Sequence, residues 1–131
     1  METKTINQKV VLKASPHEIY EMLLDSKKHE EFTGQKADIS KHIGGKFKAF
    51  DGWVEGETID LIPDELIVQK WRGKDWEEEY FSKVTFELKK VEEGTEITLT
   101  HEDVPEDKYE SVESGWKEHY WDKMKKVLEK E

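Results

Sequence analysis

The stretch VESGWKEHYWDKMKKVL, residues 112–128, sets Val112, Trp116, Tyr120, Met124, Val127 and Leu128 mostly three or four positions apart, with Lys117, Glu118, Asp122, Lys125 and Lys126 largely elsewhere. Residues spaced in this way share one face of an α-helix. The pattern predicts a helix from about Tyr109 or Val112 to Glu129, with an apolar stripe that must bury against something large. The rest of the chain offers one partner of matching size, the inner face of a β-sheet.

Working back from that helix, Pro105 ends a strand-rich region. Tyr80, Ser82, Val84, Phe86 and Leu88 alternate with Lys83, Thr85, Glu87 and Lys89, the signature of a half-buried strand. Glu93-Gly94 turns this run back into Thr95, Ile97, Leu99 and His101 on one face and Glu96, Thr98, Thr100 and Glu102 on the other. Earlier, Gly44-Gly45 leads into a strand from Lys46 to Phe50, and Asp51-Gly52 reads as a two-residue type I′ hairpin turn. The return strand runs from Trp53 to about Ile62, Pro63-Asp64 turns again, and Leu66 to Arg72 forms the next strand. Towards the N-terminus, Ile6, Val10, Val11 and Leu12 mark a first strand. Ser15, Pro16 and Glu18 announce a short helix by a capping box, and Ser26 is placed to cap a second one running through Phe32 to Gly34. The expected order is β-α-α-β-β-β-β-β-α: an α+β domain over 1–131, with a curved antiparallel six-stranded sheet, two short helices and a long C-terminal helix in its concavity.

Composition narrows the function. Charged residues are 40% of the 131 and the formal net charge is −10, which opposes binding to nucleic acid or to an anionic membrane. No cysteine is present, so thiolate catalysis, disulfides and cysteine-ligated zinc are excluded. The polar segment from Met1 to Lys9 has no apolar secretory core, and no run approaches the about 18 apolar residues of a membrane span. A cytoplasmic monomer without cofactor or metal is expected. His17, His29, His42 and His119 lack zinc-site spacing, and the serines lack a nucleophile-elbow context.

Taken together, Gly44-Gly45-Lys46-Phe47, Asp51-Gly52, Gly56-Glu57, Asp60-Leu61-Ile62-Pro63, Ile67-Val68-Gln69-Lys70-Trp71-Arg72, Trp76, Phe81-Ser82-Lys83-Val84-Thr85, Gly94-Thr95-Glu96, Val104-Pro105 and Gly115-Trp116 with Tyr120 resemble the C-terminal domain of the activators of heat-shock protein 90 ATPase. That family lies within the superfamily of START and birch-pollen-allergen-like folds. The resemblance implies a helix-grip fold, and either contact with a chaperone ATPase or a cavity for a small hydrophobic molecule between sheet and long helix. The two-domain eukaryotic co-chaperone also has an N-terminal domain, to which nothing in these residues corresponds.

Two candidate sites follow. Trp71, Arg72, Lys74 and Trp76 read as an exposed aromatic and basic patch for a protein partner, since Trp and Arg are enriched at hot spots. The plainer reading has the tryptophans plugging the sheet and Arg72, the sole arginine, paired with an acidic neighbour. Phe86, Leu99, His101, Trp116, Tyr120 and Met124 are the side chains that would wall a cavity under the helix, or fill it as core. His101 in such a cavity invites a general-base reading as well, against the commoner satisfied core histidine. Glu55 and Glu57, two apart on one strand, and the run Glu77-Glu78-Glu79 read as solvated surface.

Overall fold

A computed structural model describes residues 2–129; Met1, Lys130 and Glu131, which the expected domain span includes, lie outside the described residues. Strand β1 (Thr3–Leu12) is followed by helices α1 (Pro16–Leu24) and α2 (Ser26–Thr33), then by β2 (Asp38–Ile39), β3 (Lys46–Ala49), β4 (Val54–Ile62), β5 (Leu66–Gly73), β6 (Ser82–Val91) and β7 (Gly94–Pro105). The strands form one antiparallel sheet in the order β1-β7-β6-β5-β4-β3-β2. The C-terminal helix runs as α3 (Tyr109–Gly115), a π turn (Trp116–Trp121) and α4 (Asp122–Glu129).

The sheet thus has seven strands, not six. The added strand, β2, is two residues long and pairs Asp38 and Ile39 with Lys48 and Phe47. So short a segment shows no alternation. It is held instead by the Ser26 hydroxyl, which accepts from the Ile39 N–H at 2.8 Å. That contact also removes Ser26 from the capping role expected of it: Asp25 caps α2, its carboxylate accepting from the Lys28 N–H at 3.0 Å. At the other end Gly34, with φ 76°, takes the left-handed cap position that a side chain would strain. In α1, Ser15 caps as expected, accepting from the Glu18 N–H at 3.1 Å.

The β3–β4 connection also departs from expectation. Pairing stops at Ala49 and Val54, so the turn has four residues, and Phe50, Asp51 and Gly52 all take positive φ (53°, 57° and 91°). The strain at Phe50 is offset by anchoring. The Asp51 carboxylate accepts from the Lys36 N–H, the Asp51 N–H donates to the Lys36 carbonyl, and the Phe50 ring packs edge-on to His29, His119 and Tyr120.

One continuous core joins the inner faces of β1, β7, β6 and β5 to α1, α2 and the C-terminal helix. Ile6, Ile67, Val84, Ile97, Leu99 and Met124 in it are fully buried. The π turn explains a residue the helical stripe did not predict. Its i→i+5 bonding, seen in the Asp122 N–H donating to the Lys117 carbonyl, widens the turn and brings Trp121 to the buried side together with Trp116 and Tyr120. The Trp121 indole donates to the Gln8 side-chain oxygen at 2.7 Å and ties the helix to edge strand β1.

If the helix is held by this burial, Met124→Ala lowers the free energy of unfolding by about 3 kcal/mol. Lys125→Ala, on the exposed side of the same turn, changes it by less than about 0.5 kcal/mol. Equal denaturant midpoints for the two variants would contradict the packing described.

Candidate functional site

The end of β5 and the turn between β3 and β4 rise beside α3 and leave a cleft of about 380 Å³ open to solvent. The sheet contributes Val54, Trp71 and Gly73, the turn Phe50 and Trp53, and the loop after β5 Asp75 and Trp76. The helix side contributes Val112, Gly115, Trp116, Glu118, His119 and Tyr120. Trp71 packs at 5.5 Å from Trp76 and 5.7 Å from Trp116, and Trp116 at 4.6 Å from Tyr120, so the inner wall is a continuous aromatic surface. Trp53 stands at the mouth and is 48% exposed. The opening also bears a salt bridge at 2.9 Å between Lys108 and Asp75.

Two glycines border this space. A Cβ at Gly73 would lie 2.9 Å from the Trp76 indole nitrogen and 3.4 Å from Trp53 Cζ3, so the two rings close over a position without a side chain. A Cβ at Gly115 would meet only His119 Cδ2, at 3.8 Å.

Behind the wall runs a directed chain of hydrogen bonds. The Trp116 indole N–H donates to His101 Nδ1 at 3.1 Å. An indole nitrogen can only donate, so Nδ1 carries no proton and the neutral ring holds its proton on Nε2. That N–H faces Ser82 Oγ at 2.7 Å, and the Ser82 hydroxyl in turn donates to the Trp71 carbonyl at 2.7 Å. His101 and Ser82 are both buried, and burial lowers the His101 pKa to about 3. Both ring nitrogens are engaged and the ring is a weak base, so this Ser–His pair is not arranged as a nucleophile and its base. A second buried histidine, His29, places Nε2 at 3.0 Å from the Tyr120 hydroxyl, while its Nδ1 has no partner. Burial lowers the His29 pKa to about 4 and raises that of Tyr120.

The profile of the family described as activator of Hsp90 ATPase homolog 1-like protein matches residues 13–129. The chain belongs to that family. It is 32% identical over 126 residues to the human activator of 90 kDa heat shock protein ATPase homolog 1, covering 96% of this chain and 37% of the relative. With the corresponding activator homolog of Dictyostelium discoideum it shares 30% over 124 residues, 94% of this chain and 32% of the relative. The chain therefore spans about a third of the length of these curated relatives. Among solved structures, an HSP90 activator from Plasmodium falciparum superposes with a TM-score of 0.84 at 27% identity, over 96% of this chain and 95% of that one. A protein from Colwellia psychrerythraea described as an Aha1 dimer shares the fold, with a TM-score of 0.80 at 22% identity over 95% and 96% of the two chains.

In this member of the activator family the two groups of candidate residues are sorted differently from the expectation. Trp71 and Trp76 are not an exposed patch: they are 8% and 7% exposed and form the cleft wall. Arg72 is turned inward along the loop, donating to the Trp76 carbonyl at 2.7 Å and the Glu77 carbonyl at 2.9 Å, with Glu55 at 3.9 Å. Its guanidinium folds the loop rather than facing outward. Lys74 is exposed, and its backbone N–H donates to the Trp53 carbonyl at 2.7 Å. Of the six residues assigned to a cavity, Trp116 and Tyr120 line the cleft, whereas Phe86, Leu99, His101 and Met124 are buried in the core behind it. The sequence reading missed Trp53, Phe50, Gly73 and Gly115 as cleft residues. A tryptophan directly after a turn, with no apolar partner at strand spacing, was the available signal for Trp53. Among the described residues no three His, Asp or Glu side chains converge as a metal site requires, and no helix is long and apolar enough to cross a membrane.

The buried histidines set a pH dependence. Each is uncharged in the fold and has an ordinary value of 6.5 once unfolded, so below pH 6.5 the unfolded chain binds more protons. Stability is complete above pH 6.5 and declines as pH falls towards about 4 for His29 and about 3 for His101. Between pH 6.5 and about 5, each histidine is expected to remove about 2 kcal/mol, and His101→Gln to halve that combined loss. Urea midpoints measured across this range check it, and an unaltered pH dependence in the variant would contradict it.

Proposed function

We propose that this domain is a non-enzymatic binding module that docks on a 90 kDa heat-shock protein ATPase, with the aromatic cleft as its contact surface. The observation that carries the reading is Trp53, a large ring left 48% exposed at the mouth of a cleft already walled by three other tryptophans. Exposed rings beside well-packed pockets are where binding energy concentrates. The relatives' names supply the partner class: they are activators of that ATPase. Because the chain spans about a third of the curated relatives, the proposal covers docking, and stimulation of turnover is a further step within it. A cytoplasmic setting and a monomeric state belong to the same proposal.

A second reading has one observation in its favour. The cleft's volume of about 380 Å³ and its aromatic wall suit a small hydrophobic molecule. It ranks second because Phe86, Leu99 and Met124 fill the space deeper under the helix, so a ligand would sit in an open groove rather than an enclosed chamber.

Titrating the labelled domain with a purified 90 kDa heat-shock ATPase should move the Trp53 indole and Gly115 amide resonances. Trp53→Ala should weaken the complex by about tenfold or more, as a hot-spot truncation does. Cleft resonances and ATPase turnover that both stay unchanged would refute the docking reading. Shifts produced instead by a panel of apolar small molecules would favour the second.

A further inference from the structure

The charges around the cleft are of one predominant sign. Asp75 and Glu118 both line it, and its one lysine, Lys108, is already paired with Asp75 at 2.9 Å. Glu118 has no ion-pair partner among the described residues. The loop that carries Trp76 adds Glu77, Glu78 and Glu79, all exposed, against the single cation Lys74. The chain as a whole carries a formal net charge of −10. An anionic occupant would be repelled, and a wholly apolar one would cover Glu118 without giving its carboxylate a partner.

The rings select the remaining class. Trp53 lies against Gly73 next to Trp76, with about half of its surface open to solvent at the mouth. An open indole in a cleft that also bears carboxylates can attract a cation to its aromatic face, most strongly a planar guanidinium. Gly115 shows that room for an occupant is kept on the helix side. It has ordinary helical geometry (φ −61°, ψ −39°), where alanine would raise helix propensity by about 1 kcal/mol, and a Cβ there would meet nothing closer than 3.8 Å. Neither backbone conformation nor packing requires glycine at this position.

We propose that the cleft is the receptor for one basic side chain, arginine or lysine, presented by a segment of a partner protein. The side chain stacks on Trp53 with its charge directed to Glu118 and Asp75. The proposal rests on the docking reading above and specifies the chemistry of its contact.

The test uses the intact chain, isotopically labelled, and short peptides identical except for one central residue: arginine, lysine, citrulline or norleucine. The arginine and lysine peptides are expected to shift the Trp53 indole and Gly115 amide. They should bind at least about fivefold tighter than the citrulline and norleucine peptides, the worth of one cation–π contact. Trp53→Leu should abolish that difference, added salt should narrow it, and Gly115→Leu should remove binding without lowering the thermal midpoint. Norleucine binding as well as arginine, or no peptide reaching the cleft, would overturn the proposal. Methylguanidinium chloride binding as tightly as the arginine peptide would overturn the assignment to a protein segment. Run beside the chaperone titration, the two failures separate. A chaperone that shifts the cleft while the arginine peptide does not defeats this proposal alone, and an arginine peptide that binds while the chaperone leaves the cleft unmoved defeats the docking reading alone.

Discussion

A buried hydrogen bond from the Trp116 indole to the imidazole of His101 joins the C-terminal helix to the centre of the sheet, as the Trp121–Gln8 bond joins it to the edge. Trp116 and His101 are both buried, so breaking their bond would leave a donor and an acceptor without water, at a cost of order 1–3 kcal/mol. The bond also orders what lies beyond it. It sets the histidine tautomer, the tautomer directs a proton towards Ser82, and the Ser82 hydroxyl holds the Trp71 carbonyl on the neighbouring strand β5. One chain of donors and acceptors therefore connects the helix wall of the cleft with its sheet wall. Packing brings these rings together, and the polar chain adds directed bonds among them.

The cleft is open because the space beneath it is full. Phe86, Leu99 and Met124 pack the centre of the sheet, and the rings of Trp71, Trp116 and Tyr120 close that core from above. What remains accessible is the outer side of those rings. There the strained turn at Phe50–Gly52 and the loop held by Arg72 raise Trp53 and Trp76 above the sheet. Core and cleft wall are thus two sides of the same aromatic layer, and residues that stabilise the fold also shape the cleft.

Much of this was legible in sequence because periodicity is a strong signal for long elements. The alternation from Ser82 to Leu88 and the stripe from Trp116 to Met124 marked the sheet and the final helix, and the alternation from Thr95 to His101 marked the inward face of His101. The failures were local. β2 is too short to alternate, and its real determinant is a side chain thirteen residues away, Ser26. The four-residue turn at Phe50 depends on a tie to Lys36 that no turn dipeptide encodes. Trp121 needed a π turn, which helical spacing does not anticipate. For Trp71 and Arg72, composition cannot tell an exposed aromatic from one lining a groove, or a guanidinium facing a partner from one satisfying its own loop. That distinction arises only when β5, the following loop and the helix come together.

The shape of the aromatic cleft depends on the helix being held at Trp116, which lines it and bonds to His101. Nitrogen-15 spectra of the imidazole side chains, with hydrogen exchange of the indole protons, measure that bond directly. The account predicts that at neutral pH His101 carries its proton on Nε2 with Nδ1 bare, and that the Trp116 indole proton exchanges far more slowly than that of Trp53. A proton on Nδ1, or a Trp116 indole that exchanges as fast as Trp53, would contradict it.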